Sequence, residues 1–211
     1  MKTLNEIYSA YPSFKDKFDN DKLHAALEST EERVRRATVF LTHLVAGNKI
    51  QLSDLYVGHS GGKDSVVAHF VARSTFPAFN FPVVHTTKVE GEPNFTHPET
   101  VKFLYWLARH YNVIYRPLES EVHPALKQTV QIDGTRLLEA ERSDGRSTDL
   151  VFNGEVINRR HMSGYNPKGL FGKQFLYPIF DWTDTEVWAA ILWYNLPFSD
   201  EYQVVSWTAE S

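Results

Sequence analysis

The stretch VGHSGGKDSVVAHF, residues 57 to 70, sets two adjacent glycines, a lysine, an aspartate and two serines between apolar runs. Gly61 and Gly62 let the main chain come close to a ligand and supply the dihedrals that turn several N–H groups toward one anion. Lys63 adds a mobile positive charge, and Ser60 and Ser65 add hydroxyl donors. Side chains of these types at this spacing hold a phosphate. Two common phosphate loops do not fit. The G-x-x-x-x-G-K-[ST] loop needs four residues between its glycines and a hydroxyl after the lysine, whereas Gly58 to Gly62 is one residue short and Asp64 stands in the hydroxyl's place. The G-x-G-x-x-G fingerprint is absent.

A phosphate loop needs a strand to deliver it and a helix to receive it, and the flanks supply both. LYVG reads as the end of a buried strand and VVAHFVAR as the first turns of a helix, whose N-terminus is itself an anion site. From residue 52 onward strand-like and helix-like runs alternate: DLYVGHS, the helix at 64 to 74, FPVVHTT, HPETVKFLYWLARHY and NVIYRPL. The alternation predicts right-handed βαβ units in an open, mostly parallel twisted sheet with helices on both faces, a Rossmann-like α/β fold. In such sheets ligands bind beyond the carboxyl ends of the strands, where residues 59 to 65 and the HTT of 85 to 87 fall. His59 and His85 are read there either as packed residues or as groups near the ligand, and Thr86 as a nucleotide contact.

Pro98 suits the first helical position and Glu99 complements the dipole beside it. Ser29 with Glu32, and Thr183 with Glu186, read as capping boxes opening two further helices, the first ending at Gly47 and the second before Pro197. Two shorter helical pieces broken near Pro12 precede the first, and TDLVFNGEVINRR reads as a hairpin turning at Asn153-Gly154. Residues 119 to 150 carry the weakest pattern. The organisation expected is an N-terminal helical segment over 1–50 packed on a nucleotide-binding domain over 51–211, one globular unit.

Composition excludes several chemistries. With 211 residues and 42% hydrophobic side chains the chain can bury a core. A net charge of −4 gives no global attraction to nucleic acid or to an anionic membrane, no run is long enough for a membrane span, and the polar N-terminus lacks the form of a signal peptide, so a cytoplasmic location is expected. The chain has no cysteine, which excludes a cysteine-ligated iron–sulfur cluster, thiolate zinc and a cysteine nucleophile within it.

Residue for residue, SGGKDS resembles the pyrophosphate loop of the PP-loop ATP pyrophosphatases, the adenine nucleotide α-hydrolase-like superfamily. FPVVHTTKVEGEPNFTHPETVKF, DGTRLLEAERS and LYPIFDWTDTEVWAAILWYNLPFSDEY are similar to segments of one branch, the phosphoadenosine phosphosulfate (PAPS) reductase-like family, over roughly residues 50 to 202. The resemblance implies phosphate contacts from Ser60, Gly61, Gly62, Lys63, Asp64 and Ser65, and a nucleotide-side role for Gly134, Arg136 and Arg142, with Lys63, Asp64 and Arg142 nearest the chemistry. Asp64 reads either as a helix cap or as a magnesium ligand, because ATP arrives with that hard cation. Arg136, Glu139 and Arg142 read either as an ion-paired helical face or as phosphate and ribose contacts, and Arg159, Arg160, Lys168 and Lys173 as a solvated basic loop or a lid over the substrate phosphate.

Reductases of this branch act through a cysteine near the C-terminus, which this chain lacks, and the acidic turn after the second strand reads Thr87-Lys88 here. The intact SGGKDS loop favours ATP over a sulfonucleotide. The expectation is an enzyme that takes ATP with Mg2+, cleaves it between the α and β phosphates and transfers AMP to an acceptor the sequence does not identify. Two alternatives stand beside it: a sulfonucleotide-binding reductase relative that borrows a thiol from another protein, and a non-catalytic subunit gated by nucleotide. The partners admitted are an adenine nucleotide, the acceptor, a partner protein and a second copy of the chain.

Overall fold

Leu55, Tyr56, Val57 and Gly58 form a short strand buried on both sides, and the chain is built outward from it. In the computed structural model the described residues are 3–87, 97–117, 128–136, 150–152, 155–157, 164–167 and 174–204. Strand β1 (Leu55–Gly58) is followed by helix α3 (Lys63–Thr75), β2 (Val83–Thr87), α4 (Pro98–His110), β3 (Val113–Pro117) and β4 (Val130–Ile132). Two helices precede β1, α1 (Leu4–Ala10) and α2 (Asn20–Gly47). After β4 come β5 (Leu150–Phe152), β6 (Glu155–Ile157), β7 (Tyr165–Asn166), β8 (Gln174–Leu176), α5 (Asp184–Tyr194) and α6 (Glu201–Val204).

The main sheet has the order β3-β2-β1-β4-β8-β7, in which the first five strands are parallel and β7 runs antiparallel at the edge. The open, mostly parallel sheet expected from the alternation is therefore present. Strand order reverses between β1 and β4, and the crevice beyond their carboxyl ends is the place where such sheets bind ligands. β5 and β6 pair antiparallel as the hairpin pattern predicted, with Phe152 opposite Glu155; the turn residues 153 and 154 lie outside the described residues.

Side chains alternate across the sheet. Leu55, Val57, Val83, Val130, Ile132 and Leu176 share one core with residues of α2, α3, α4 and α5, whereas Tyr56 and Val84 form a second cluster with Ile114. Burial of the first group, at roughly 1.5–3 kcal/mol per large aliphatic side chain, holds β1 and β4 in fixed register beneath α3.

Two sequence expectations are corrected. Ser29 caps nothing: α2 begins nine residues earlier, where the Asp19 carboxylate accepts the N–H groups of Asp21 and Lys22. Leu23, Ala26 and Leu27 continue its apolar face, so no breaker separates them from Val34 and Leu41, and the Ser29 hydroxyl donates back to the Ala25 and Ala26 carbonyls. Glu32 instead pairs with Arg35 and Arg36. The second correction is β4, a central strand inside the stretch that carried the weakest pattern. The Thr183 capping box, by contrast, forms as expected, with Glu186 N–H donating to the Thr183 hydroxyl and the Glu186 carboxylate accepting from Thr183 N–H.

Candidate functional site

The loop between β1 and α3 is held by its own side chains. The Gly61 N–H donates to His59 Nδ1 at 3.1 Å, the Ser60 N–H to the Ser65 hydroxyl at 3.1 Å and the Gly62 N–H to the Ser60 hydroxyl at 3.2 Å. Gly61 has φ of +90°, a region closed to most side chains, and a Cβ there would also strike the Thr100 methyl. The Lys63 N–H donates to the Tyr202 hydroxyl at 3.2 Å. Tyr202 reaches the loop from α6, seated edge-on against Trp188, which also packs on Phe14 and Phe198.

Burial holds the His59 imidazole well below its ordinary pKa, with His69 and His85 adding to the effect, so the ring is neutral and its Nδ1 accepts. His85, on β2, donates from Nδ1 to the His59 carbonyl at 2.6 Å. The two histidines thus act on the loop's shape, one through Gly61 and one through the His59 peptide.

The next two amides are different. Gly62 is the N-cap of α3, so Asp64 and Ser65 lie in its first turn, and among the described residues their N–H groups have no acceptor. Both line a cavity of about 400 Å³ together with Gly58, His59, Ser60, Val84, His85, Thr86, Gln131, Asp133, Gly134 and Thr135. The cavity therefore sits at the reversal of strand order and takes in the partial positive charge of the helix end. Gly134 also lines it and packs directly on this turn, where a Cβ would lie 2.6 Å from the Asp64 carbonyl carbon and 2.8 Å from the Ser65 nitrogen. Asp133 fixes this segment by accepting the Thr135 N–H at 2.8 Å and the Thr135 hydroxyl at 2.6 Å.

Asp64 is not a cap. Its carboxylate pairs with Lys63 Nζ at 2.8 Å and with Arg136 Nε at 2.6 Å, and Asp184, the first residue of α5, accepts from the same two cations, each at 3.0 Å. Burial lowers the pKa of the Lys63 ammonium, but Asp64 and Asp184 outweigh it and the net shift is upward, so the charge is kept. Arg136 is only 1% exposed. It pairs with Asp64 and Asp184, and its reading as part of a helical face with Glu139 and Arg142 falls on residues outside the described ones. Glu139, Arg142, Arg159, Arg160, Lys168 and Lys173 lie outside the described residues.

Of the residues singled out from the sequence, the structure sets His59, Ser60, Asp64, Ser65, Thr86 and Gly134 along the cavity; Gly61 and Gly62 belong to the same loop with their amides taken up by His59 and Ser60, and Lys63 and Arg136 are tied to Asp64 and Asp184. The structure adds Asp184 and Tyr202, to which the sequence reading assigned no role. Tyr202 is the tyrosine closing the LYPIF…DEY segment, so its signal lay in that resemblance; Asp184 sits unremarked inside the Thr183 capping box.

No family model matches the chain, and no curated protein matches it either. Solved structures do. Candida glabrata FMN adenylyltransferase, in complex with FMN and the ATP analogue AMPCPP, superimposes with a TM-score of 0.58 at 14% identity over 90% of this chain. This chain spans 65% of that enzyme's length. Yeast FAD synthetase in complex with FAD matches at 0.53 and 17% identity, covering 86% of this chain and 68% of its own. The PAPS reductase from Candida auris, a phosphate complex, matches at 0.51 and 11% identity, covering 83% of this chain and 90% of its own. The chain shares its fold with these three proteins. Within that fold the crevice described above lies at the β1–α3 loop, the segment whose sequence carries SGGKDS.

Proposed function

We propose that the chain binds ATP through the SGGKDS loop and cleaves it between the α and β phosphates, transferring AMP to an acceptor and releasing pyrophosphate. The observation that carries this reading is the pair of amides without an acceptor among the described residues, Asp64 N–H and Ser65 N–H, in the first turn of α3, whose residues line a cavity of about 400 Å³ at the end of β1. Peptide donors at a helix end bind a phosphate chain without reorganising, and they stabilise charge that develops on departing pyrophosphate. Lys63 and Arg136 hold two cations against the Asp64 carboxylate, beside that turn. An acceptor nucleophile attacks the α phosphorus, the bond to the bridging α,β oxygen breaks, and that oxygen leaves with pyrophosphate.

The donor set fits magnesium. The cation is commonly held by one or two carboxylates with phosphate oxygens and water completing its shell, and Asp64, which lines the cavity, offers one. Among the described residues no group of three or more histidine or acidic side chains converges as a dedicated metal cage. When bound with ATP, the ion would neutralise charge on the phosphate chain.

Structural likeness to adenylyltransferases in complex with ATP analogue and product supports the reading at the level of fold. A reductase related to the Candida auris enzyme would need a thiol that this chain does not contain. Incubation of pure protein with ATP, magnesium and a panel of small acceptors should release pyrophosphate in an amount equal to the adenylylated acceptor, or to AMP where water takes the adenylyl group, and Lys63→Ala should abolish both products. ADP and inorganic phosphate as the products would contradict the proposal, as would a sulfonucleotide that displaces ATP and is itself turned over when a thiol is supplied.

A further inference from the structure

Lys63 and Arg136 share a carboxylate that belongs to neither the loop nor β4. Asp184 reaches them from the first position of α5, and its placement is over-determined. The Thr183–Glu186 capping box fixes the start of the helix, and Arg33 of α2 clamps the preceding turn, with Nη1 on the Asp181 carboxylate at 3.0 Å, Nη2 on the Asp181 carbonyl at 3.1 Å and Nε on Glu186 at 2.7 Å.

The ion pairs say what this arrangement does when an anion arrives. Lys63 Nζ lies 2.8 Å from an Asp64 oxygen and 3.0 Å from an Asp184 oxygen, and Lys63 is not among the residues that line the cavity. To grip a phosphate oxygen there the ammonium has to move, away from one of the two carboxylates. Asp64 is the adjoining residue and is also held by Arg136 Nε. Asp184 comes from another element, and after losing Lys63 it would still be paired with Arg136 Nη2 at 3.0 Å. Exchanging Asp184 for a phosphate oxygen therefore leaves no buried charge unpartnered, the condition under which breaking an ion pair is cheap.

We propose that Asp184 is a positioning residue of the phosphate site: its carboxylate parks the Lys63 ammonium beside the loop in the free protein and hands it to the incoming phosphate chain while keeping Arg136. The proposal rests on the anion-site reading above and adds to it a residue and a direction of effect. A parking carboxylate competes with phosphate, so removing its charge should tighten anion binding, whereas a residue that merely builds the fold would weaken binding when changed.

Calorimetric titration of inorganic pyrophosphate, with magnesium, into wild type, Asp184→Asn and Asp184→Glu separates these cases. Asn keeps an acceptor oxygen in place for Arg136, so Asp184→Asn should bind pyrophosphate roughly 3–10-fold tighter, with a steeper loss of affinity as salt rises, and Asp184→Glu should return toward wild type. Equal or weaker binding by Asp184→Asn would overturn the proposal. Should that variant fail to fold, a crystal structure of wild type with pyrophosphate decides: Lys63 Nζ bonded to a phosphate oxygen and parted from Asp184 supports the hand-over, and Lys63 still on Asp184 refutes it. Wild type that binds neither pyrophosphate nor ATP would fail the phosphate-site reading itself. Wild type that binds both, with weaker binding in the Asn variant, would fail this inference alone.

Discussion

Gly134→Ala offers the sharpest mutational test of the site's geometry, because the added methyl meets main chain and not a side chain that could swing away. The new Cβ would lie 2.6 Å from the Asp64 carbonyl carbon, 2.7 Å from the Asp64 oxygen and 2.8 Å from the Ser65 nitrogen. Ordinary contact begins near 3.4 Å, so the end of β4 and the first turn of α3 must part by about 0.8 Å. Both elements are anchored in the core by Val130, Ile132, Val66 and Val67, and neither can move without disturbing it. Overpacking of this kind costs about 1–3 kcal/mol of stability. Drawing the two donor amides off a phosphate oxygen, at about 1.5 kcal/mol for each hydrogen bond to a charged group, should lower ATP affinity by roughly 10²-fold. The assay is calorimetric titration of ATP with magnesium, paired with urea unfolding. Gly47→Ala is the control: nothing lies within 4 Å of its added Cβ, so ATP affinity should be unchanged. Gly134→Ala protein that folds and binds ATP as wild type does would refute the claim that the Asp64 and Ser65 amides form the site.

Further outcomes follow from the same structure. Asp19→Ala should lose about 1 kcal/mol through the missing N-cap of α2, while Ser29→Ala should stay within about 0.5 kcal/mol of wild type, as urea midpoints will show. The reverse ranking would restore Ser29 as the helix start. Stability should fall in acid. Burial, with Arg73 adding to it, pulls the His69 pKa down to about 4, and His59 is lowered as well. Because the folded pKa lies below the unfolded one, this contribution is complete above the ordinary value near 6.5 and is lost as pH drops toward 4, on the order of 3 kcal/mol for His69. Urea midpoints measured between about pH 7.5 and pH 5 should decline in wild type and decline less in His69→Gln; parallel decline would show that His69 does not carry the effect.

The parts of this protein legible in its sequence are those that depend on neighbouring residues. The Thr183–Glu186 box spans four positions, Pro98 and Glu99 mark their own helix start, and Leu55 to Thr75 contains a strand, a loop and a helix in uninterrupted order. Ser29 misled because a serine three residues before a glutamate has the form of a cap wherever it occurs, and only the continuation of the apolar face through Leu23 and Leu27 places it mid-helix. β4 was illegible because Val130-Gln131-Ile132 is too short for a period to show. It is a strand because β1 and β8 pair with it on either side, and Gln131 is tolerated there because its carbonyl accepts the Tyr56 hydroxyl and its amide donates to Asp133. Asp184 and Tyr202 escaped for the same reason. Their partners, Lys63 and Arg136 for one and the Lys63 amide for the other, are brought together only by the assembled sheet and the aromatic cluster around Trp188.

A crystal structure of the protein with magnesium and a non-cleavable α,β-methylene ATP analogue tests the account most directly. The account places the phosphate chain within hydrogen-bond distance of the Asp64 and Ser65 amides, beside Gly134, with Lys63 on a phosphate oxygen. Nucleotide bound elsewhere on the protein, or a crevice at the end of β1 that stays without nucleotide at saturating concentration, would contradict it.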